Sequence, residues 1–313
     1  MTDIVAIGES MGSVRLSSAV VPGVHAEVSF GGAESNVAIG VSRLGHSAAW
    51  IGSLGKDAFG DAIVRGLRAE GVDIKHVSRS DHRPTGLLVT HPGGLGRRVV
   101  DYHRVSSAGS HIHRSSVETA IAEDEPRIVH ISGITSALSE EAAAAIDDGV
   151  DCARKAGLPI SFDINYRSSL WDPQRAKATL RSLADRATIV FGGRDELTIL
   201  TDASDPADAA RVLLDSGVRE VVVKGSKQAR VYATSGVTER ASYHVQVVDP
   251  IGAGDAFVSG YLSGTLDGLD TFERLGRAHL TAAFAISQMG DWEGLPFRYQ
   301  IDSYDEFGDN VER

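Results

Sequence analysis

The sequence predicts an α/β protein: a three-layer sandwich with a mostly parallel central sheet flanked by helices, and a small β-sheet beside it as a lid. Two observations carry this. From about Arg127 onward, short apolar runs alternate with segments of helical spacing, the pattern left by strands buried on both faces and their crossover helices. Between about Arg83 and His103 two alternating runs flank a Pro-Gly-Gly turn, which reads as a hairpin. A length of 313 residues allows one large or two ordinary domains. A single domain over 1–313, with lid strands from about 11–31 and 83–107, fits these patterns best.

Taken in order, the start Met1-Thr-Asp-Ile-Val-Ala-Ile-Gly8 carries an acid and runs directly into a buried-strand pattern, unlike the positive start and long apolar core of a secretory signal. Val14 to Leu16 and Glu27 to Phe30 read as short strands that join the lid. Val37, Val41 and Leu44 form one helical stripe, which Gly45 stops. The hairpin strands are Gly86 to Thr90 and Arg97 to His103, joined by His91-Pro92-Gly93-Gly94-Leu95-Gly96. The regular half then gives strands at Ile128 to Ser132, Ile160 to Asp163, Thr188 to Phe191 and Val221 to Lys224. Helices start between them at Ser139, Pro173 and Asp205, the first with Glu140 and Glu141 in its opening turn. Ser242 to Val248 alternates through Tyr243, Val245 and Val247 and predicts a further strand, after which Phe257, Tyr261 and Leu262 recur at helical spacing. The acidic tail after Asp302 suits a short closing helix.

Composition removes several function classes. A formal net charge of −11 argues against nonspecific nucleic-acid binding. No apolar run approaches the length that crosses a bilayer. A single cysteine, Cys152, excludes an intramolecular disulfide and fits a reducing compartment, so a cytoplasmic protein is expected. The 11 histidines are scattered, and neither paired CxxC or HExxH spacing nor a Gly-x-x-x-x-Gly-Lys phosphate loop occurs.

The most informative stretch is Val248-Asp249-Pro250-Ile251-Gly252-Ala253-Gly254-Asp255-Ala256-Phe257, because it puts an acid where a turn of small residues opens into a helix. The N–H groups of Ala253 to Asp255 then point outward, and orphan N–H groups with the helix dipole make an anion site that glycine lets a ligand approach closely. A carboxylate repels a bound phosphate, so its chemical use there is to take a proton from a hydroxyl attacking that phosphate. An acid at a helix start also satisfies the dipole, and two glycines also shape an ordinary turn, so the stretch alone leaves both readings open. A dinucleotide-binding reading is weaker, since Gly252-x-Gly254-x-x-Phe257 lacks the third glycine and lies late in the chain.

Asp249-Pro250-x-Gly252-Ala253-Gly254-Asp255-Ala256-Phe257-x-x-Gly260-Tyr261 resembles the C-terminal signature of the ribokinase-like (PfkB) carbohydrate kinases. Phe30-Gly31-Gly32-Ala33-Glu34-Ser35-Asn36-Val37-Ala38-Ile39-Gly40, followed by Leu44-Gly45 and Gly52-x-x-Gly55-x-Asp57-x-x-Gly60, resembles their N-terminal one. The resemblance implies a ribokinase-like fold, Asp255 as catalytic base, Gly252, Ala253 and Gly254 as anion hole, and Gly31, Gly32 and Asn36 at the sugar.

Within the family the chain is most similar to 2-keto-3-deoxygluconate kinases. Asp101-Tyr102-His103-Arg104-Val105-Ser106-Ser107, His130-Ile131-Ser132-Gly133, Asp163-Ile164-Asn165-Tyr166-Arg167 and Gly290-Asp291-Trp292-Glu293-Gly294 carry that likeness. It implies that Tyr102, Arg104, Arg167 and Asp291 meet a sugar acid. Paired guanidinium forks make sense for a carboxylate, which they hold bidentately. Either arginine taken singly also fits a surface ion pair.

The nucleotide side departs from the family. Relatives carry Asn-x-x-Glu where this chain has Gly193-Arg194-Asp195-Glu196, so the acid that holds Mg²⁺ through water remains without its Asn. Relatives carry Lys-x-Gly-x-x-Gly where it has Lys224-Gly225-Ser226-Lys227-Gln228-Ala229, a path that survives if Ser226 and Ala229 keep negative φ. Asn165, Lys224, Ser226, Ala229 and His279 are implied to lie on the ATP side. The expected partners are ATP, Mg²⁺ and a small sugar acid, with a homo-oligomer expected through the lid's sheet edge. A neutral-sugar or nucleoside kinase of the same fold and a sugar-acid sensor that binds without phosphorylating remain open. The arginine pair speaks against the first, and retention of Asp255 and Glu196 speaks against the second.

Overall fold

The computed structural model describes residues 2–94 and 97–307. Among the described residues, nine strands form the main sheet. Their order is Gly236–Ala241, Gln228–Ala233, Glu220–Val223, Ile189–Gly192, Ile160–Asp163, Ile128–Ser132, Ile4–Ile7, Ala48–Ile51 and Val72–Asp73. Neighbours from Val72–Asp73 through Glu220–Val223 are parallel, and the last two strands add an antiparallel edge.

The sequence makes this arrangement necessary. Ile4–Ile7, Ile128–Ser132 and Ile160–Asp163 are buried at every position, so the sheet must be covered on both faces. Val5, Ile7, Val129 and Ile131 pack with Val117, Ile146 and Leu180 of helices Arg114–Asp124, Glu140–Lys155 and Pro173–Ala184. The alternate residues Ile4, Ala6 and Trp50 turn to the opposite core. There they meet Val37, Ile63 and Phe257 of helices Ala33–Arg43, Ala58–Ala69 and Ala253–Leu266. Three layers follow. The helix starts read from sequence coincide with side-chain caps: Ser139 accepts from Ala142 N at 3.0 Å, and Asp172 and Asp205 cap helices that open on Pro173 and Pro206.

A separate four-stranded sheet has the order Ala26–Gly31, Met11–Leu16, Leu87–Gly94, Arg97–His103, with Met11–Leu16 and Leu87–Gly94 parallel. The hairpin-turn residues Leu95 and Gly96 lie outside the described residues.

One expected element is absent. Ser242 to Val248 forms no strand; it crosses the end of helix Thr271–Ile286, where Val248 N and Asp249 N both donate to Ile286 O at 2.8 and 3.2 Å. Tyr243 packs on Leu44, Leu280 and Ile301 and Val245 is half-buried, but Val247 and Val248 stay exposed. The closing helix, Arg298–Phe307, starts before Asp302, and the chain beyond it is outside the described residues. No helix among the described residues is long and apolar enough to cross a membrane.

Candidate active site

A cleft of about 480 Å³ lies between the C-terminal ends of the parallel strands and the inner face of the small sheet. That end is where open α/β sheets bind ligands, because the strands' following loops and helix N-termini converge there. Gly31, Gly32, Asn36, Tyr102, Arg104, Asn165, Arg167, Glu196, Lys224, Gly252, Ala253, Gly254, Asp255 and Asp291 all line it. Ser226, Ala229 and His279 do not.

Asp255 stands in the first turn of helix Ala253–Leu266. Gly252, the cap, has φ +76°, and a Cβ there would lie 2.0 Å from Asp291 O, so only glycine fits. Ala253 N closes loosely on Pro250 O at 3.4 Å, while among the described residues no acceptor stands against the N–H groups of Gly254 and Asp255. Two orphan donors with the helix dipole behind them have the geometry that suits an anion. Asn36 Nδ2 donates to Asp255 Oδ2 at 2.9 Å and fixes the carboxylate. Burial pushes that carboxyl up to about 6, with Asp163 adding to the rise and Asn36, Lys224 and Arg167 opposing it.

Lys224 Nζ makes two bonds to Asp163, at 2.6 and 2.8 Å, and sits beside Gly254, where an added Cβ would lie 3.7 Å from it. Burial alone would lower the lysine, but Asp163, Glu196 and Asp255 together hold it above its ordinary value, so it stays charged. Asp163 was not singled out from sequence, although its place at the end of a parallel strand is the signal that could have found it.

Glu196 accepts from Tyr166 N at 2.8 Å and from Gly193 N at 2.7 Å. It therefore braces the loop that carries Asn165, held at φ +41°, and Arg167. Among the described residues no three acids or histidines cluster as a metal site. The carboxylates of Glu196, Asp163 and Asp255 are nonetheless hard oxygen donors of the kind that suit Mg²⁺ arriving on phosphates.

Several expectations change in detail. The diglycine was expected to bring backbone against a ligand, but its tight approaches are internal: a Cβ on Gly31 would lie 2.2 Å from Asp291 Oδ2, and one on Gly32 2.0 Å from Glu9 O. Arg104 is not a free cation, since its Nη1 donates to Glu9 Oε2 at 2.9 Å. Arg167 is exposed, and among the described residues no carboxylate pairs with it. Neither Ser226 nor Ala229 has positive φ, so the turn tolerates the loss of both glycines, and Ala229 is buried in strand Gln228–Ala233. The placement of His279 gives its adenine-side role no support: it is buried, edge-on to Phe257, with Nε2 taken by Arg240 O at 3.1 Å.

Three further acids share the cleft, Glu9, Glu34 and Asp291. Burial, then the Glu293 charge, pushes Asp291 to about 7 against the opposing Arg15. Burial likewise raises Glu34 to about 7, although Ser132 and Thr135 donate to it at 2.6 and 2.8 Å.

A family model for pfkB family carbohydrate kinases matches residues 1–298. The chain belongs to this family. It is 35% identical over 311 residues to a 2-dehydro-3-deoxygluconokinase of Bacillus subtilis (strain 168), covering 96% of this chain and 95% of that protein. It is 33% identical over 306 residues to one of Thermoproteus tenax, covering 95% and 92%. A putative ribokinase II from E. coli, solved in complex with ATP and Mg²⁺, superposes with a TM-score of 0.89 at 27% identity, covering 98% of this chain and 99% of that one. This pfkB kinase is thus an ATP-dependent sugar kinase.

Proposed function

We propose that the kinase transfers the ATP γ-phosphoryl group to the 6-hydroxyl of 2-keto-3-deoxygluconate, giving 2-keto-3-deoxy-6-phosphogluconate. The observation that carries the reading is the pairing, in one cleft, of an ionisable base on an anion-binding helix terminus with two guanidiniums, Arg104 and the unpaired Arg167. A neutral sugar has no use for the Arg167 charge set beside the directed donors of Arg104, and the 2-dehydro-3-deoxygluconokinases among the relatives point to the same substrate class.

Asp255 takes the proton of the attacking hydroxyl. The N–H groups of Gly254 and Asp255, with Ala253 beside them, hold the charge that develops on the transferring group, and Lys224 adds a cation. ATP would supply the phosphoryl group, and Mg²⁺ would offset the negative charge it carries. Asn165, Lys224 and Glu196 stand on the side of the cleft that would receive them, and the small sheet covers the sugar and excludes water that would otherwise be phosphorylated. The test is ADP release with Mg²⁺ and ATP against sugar acids and neutral sugars. Turnover is expected on the keto-deoxy acid, with its galactonate epimer as the competing acid, and a preference for fructose or ribose would overturn the reading.

The pH profile gives an independent check on the base. Asp255 works ionised, so kcat/KM is expected to fall about tenfold per unit as pH drops below about 6, and to level off above about 7. Stability follows different groups. A carboxyl raised in the folded state binds its proton more tightly there than when unfolded, so Asp255, Asp291 and Glu34 favour the fold as pH falls from about 7 towards 4, while His130, held by burial at about 3, opposes them below its unfolded value of 6.5. Lowered groups such as Asp267, held at about 2 against burial by Arg298 and Arg277, withdraw their support only below the unfolded value of 3.8. Activity that stays flat to pH 4.5, or that falls only with the melting temperature, would remove Asp255 as the titrating base.

A further inference from the structure

Glu9 follows the strand Ile4–Ile7 and precedes Met11–Leu16, so it stands where the chain leaves the main sheet for the small one. Its side chain is 2% exposed, and burial raises its carboxyl against the pull of Arg104. Oε2 accepts from Arg104 Nη1 at 2.9 Å, and Oε1 accepts from Ser107 Oγ at 3.1 Å. Two glycines make its room: a Cβ on Gly109 would lie 2.5 Å from Glu9 Cγ, and one on Gly86 3.0 Å from Oε1.

These contacts have a common location. Gly86 leads into Leu87–Gly94, Arg104 to Ser107 lead out of Arg97–His103, and Gly32, which leads out of Ala26–Gly31, packs its backbone on Glu9 O. Together with its own position, Glu9 therefore touches all four passages between the main sheet and the small one. Arg104, 8% exposed, lines the cleft with the Tyr102 ring 4.7 Å from its guanidinium carbon, and among the described residues its Nε has no partner.

We propose that Glu9 is a positioning residue for substrate recognition: it anchors one edge of the Arg104 guanidinium so that the remaining N–H donors are held for the sugar-acid carboxylate, and it ties that orientation to the roots of the lid. This rests on the sugar-acid reading above. The physical reason is that an arginine carries its rotamer freedom to the ligand unless something pre-orders it, and a buried carboxylate in a slot cut by two glycines cannot move. Because the Glu9–Arg104 pair is neutral, Arg104 contributes directed donors to the site, and Arg167 contributes the uncompensated charge.

The experiment is a double-mutant cycle on Glu9 and Arg104, read as KM for 2-keto-3-deoxygluconate and KM for ATP, with melting temperatures alongside. Glu9→Ala is expected to raise the sugar-acid KM about tenfold or more while the ATP KM stays within about twofold. Glu9→Gln, which keeps an acceptor oxygen in the slot, is expected to recover most of that loss. In the Arg104→Ala background, Glu9→Ala is expected to change the sugar-acid KM by less than about twofold, because its route of action is gone. If Glu9→Ala does not fold, Glu9→Met fills the slot without an acceptor and takes its place. Equal effects on both substrates, no recovery with Gln, or a full additional loss in the Arg104→Ala background would each overturn the proposal. If Arg104→Ala itself leaves the sugar-acid KM unchanged, the carboxylate reading of Arg104 falls and the proposal with it; if Arg104→Ala is impaired and Glu9→Ala is silent, the proposal falls alone.

Discussion

Asp255→Asn is expected to lower kcat by at least about 10²-fold, the scale of losing a positioned base, while sugar affinity stays within a few-fold. The substitution is isosteric, and an amide oxygen at that position still accepts from Asn36 Nδ2, so the start of helix Ala253–Leu266 keeps its shape. It also removes a charge that burial disfavours, since the carboxyl is held up at about 6. At pH 8 the variant should therefore melt no lower than wild type, and a gain of up to about 3 kcal/mol is the size such a shift allows. This pairing of lost turnover with retained or increased stability is what separates a missing base from a damaged fold. Turnover near wild type in a folded variant would take the proton-acceptor role away from Asp255.

The parts of the site that were legible in the sequence are those whose chemistry is local. Gly252-Ala253-Gly254-Asp255 declares itself because a left-handed glycine, two orphan N–H groups and an acid are all set within one turn. Strand ends were similarly legible, since runs buried at every position can only be central strands of a covered sheet. What sequence did not disclose is which polar group each charged residue would find. Glu9 and Arg104 are 95 residues apart, and Lys224 and Asp163 are 61 apart, and no pattern near either residue encodes the partner. Arg43 is a further case. It ends the helix Ala33–Arg43, and its Nη1 donates to the carbonyls of Trp292, Glu293 and Leu295 and so fixes the loop bearing Asp291. The misread strand at Ser242 to Val248 has the opposite cause: alternation is a local property, but a strand needs an open sheet edge, and this segment meets the end of a helix instead.

The arginine pair should dominate specificity, and the structure divides the expected effects between the two. Arg167 is exposed and among the described residues has no carboxylate partner, so Arg167→Ala removes a cation left for the ligand, apart from its pull on the Asp255 carboxyl. A substrate carboxylate left short of its partner in a closed site should cost several kcal/mol, roughly 10²-fold or more in kcat/KM, with little change in melting temperature. Arg104→Ala should match that loss on the sugar acid and add a second one. It strands the Glu9 carboxylate, buried and still bonded to Ser107, so the fold should weaken by about 3–5 kcal/mol unless Glu9 takes up a proton. Lysine is a poor substitute at either site because it cannot present a planar fork. Fructose has no carboxylate, so neither change should affect it by more than a few-fold, and the preference for acid over neutral sugar should collapse in both variants. The decisive quantity is the ratio of kcat/KM for 2-keto-3-deoxygluconate to that for fructose in wild type, Arg167→Ala and Arg104→Ala. A ratio unchanged in both would leave Arg167 a solvated surface charge and Arg104 a structural partner of Glu9, and the cleft would then be that of a neutral-sugar kinase.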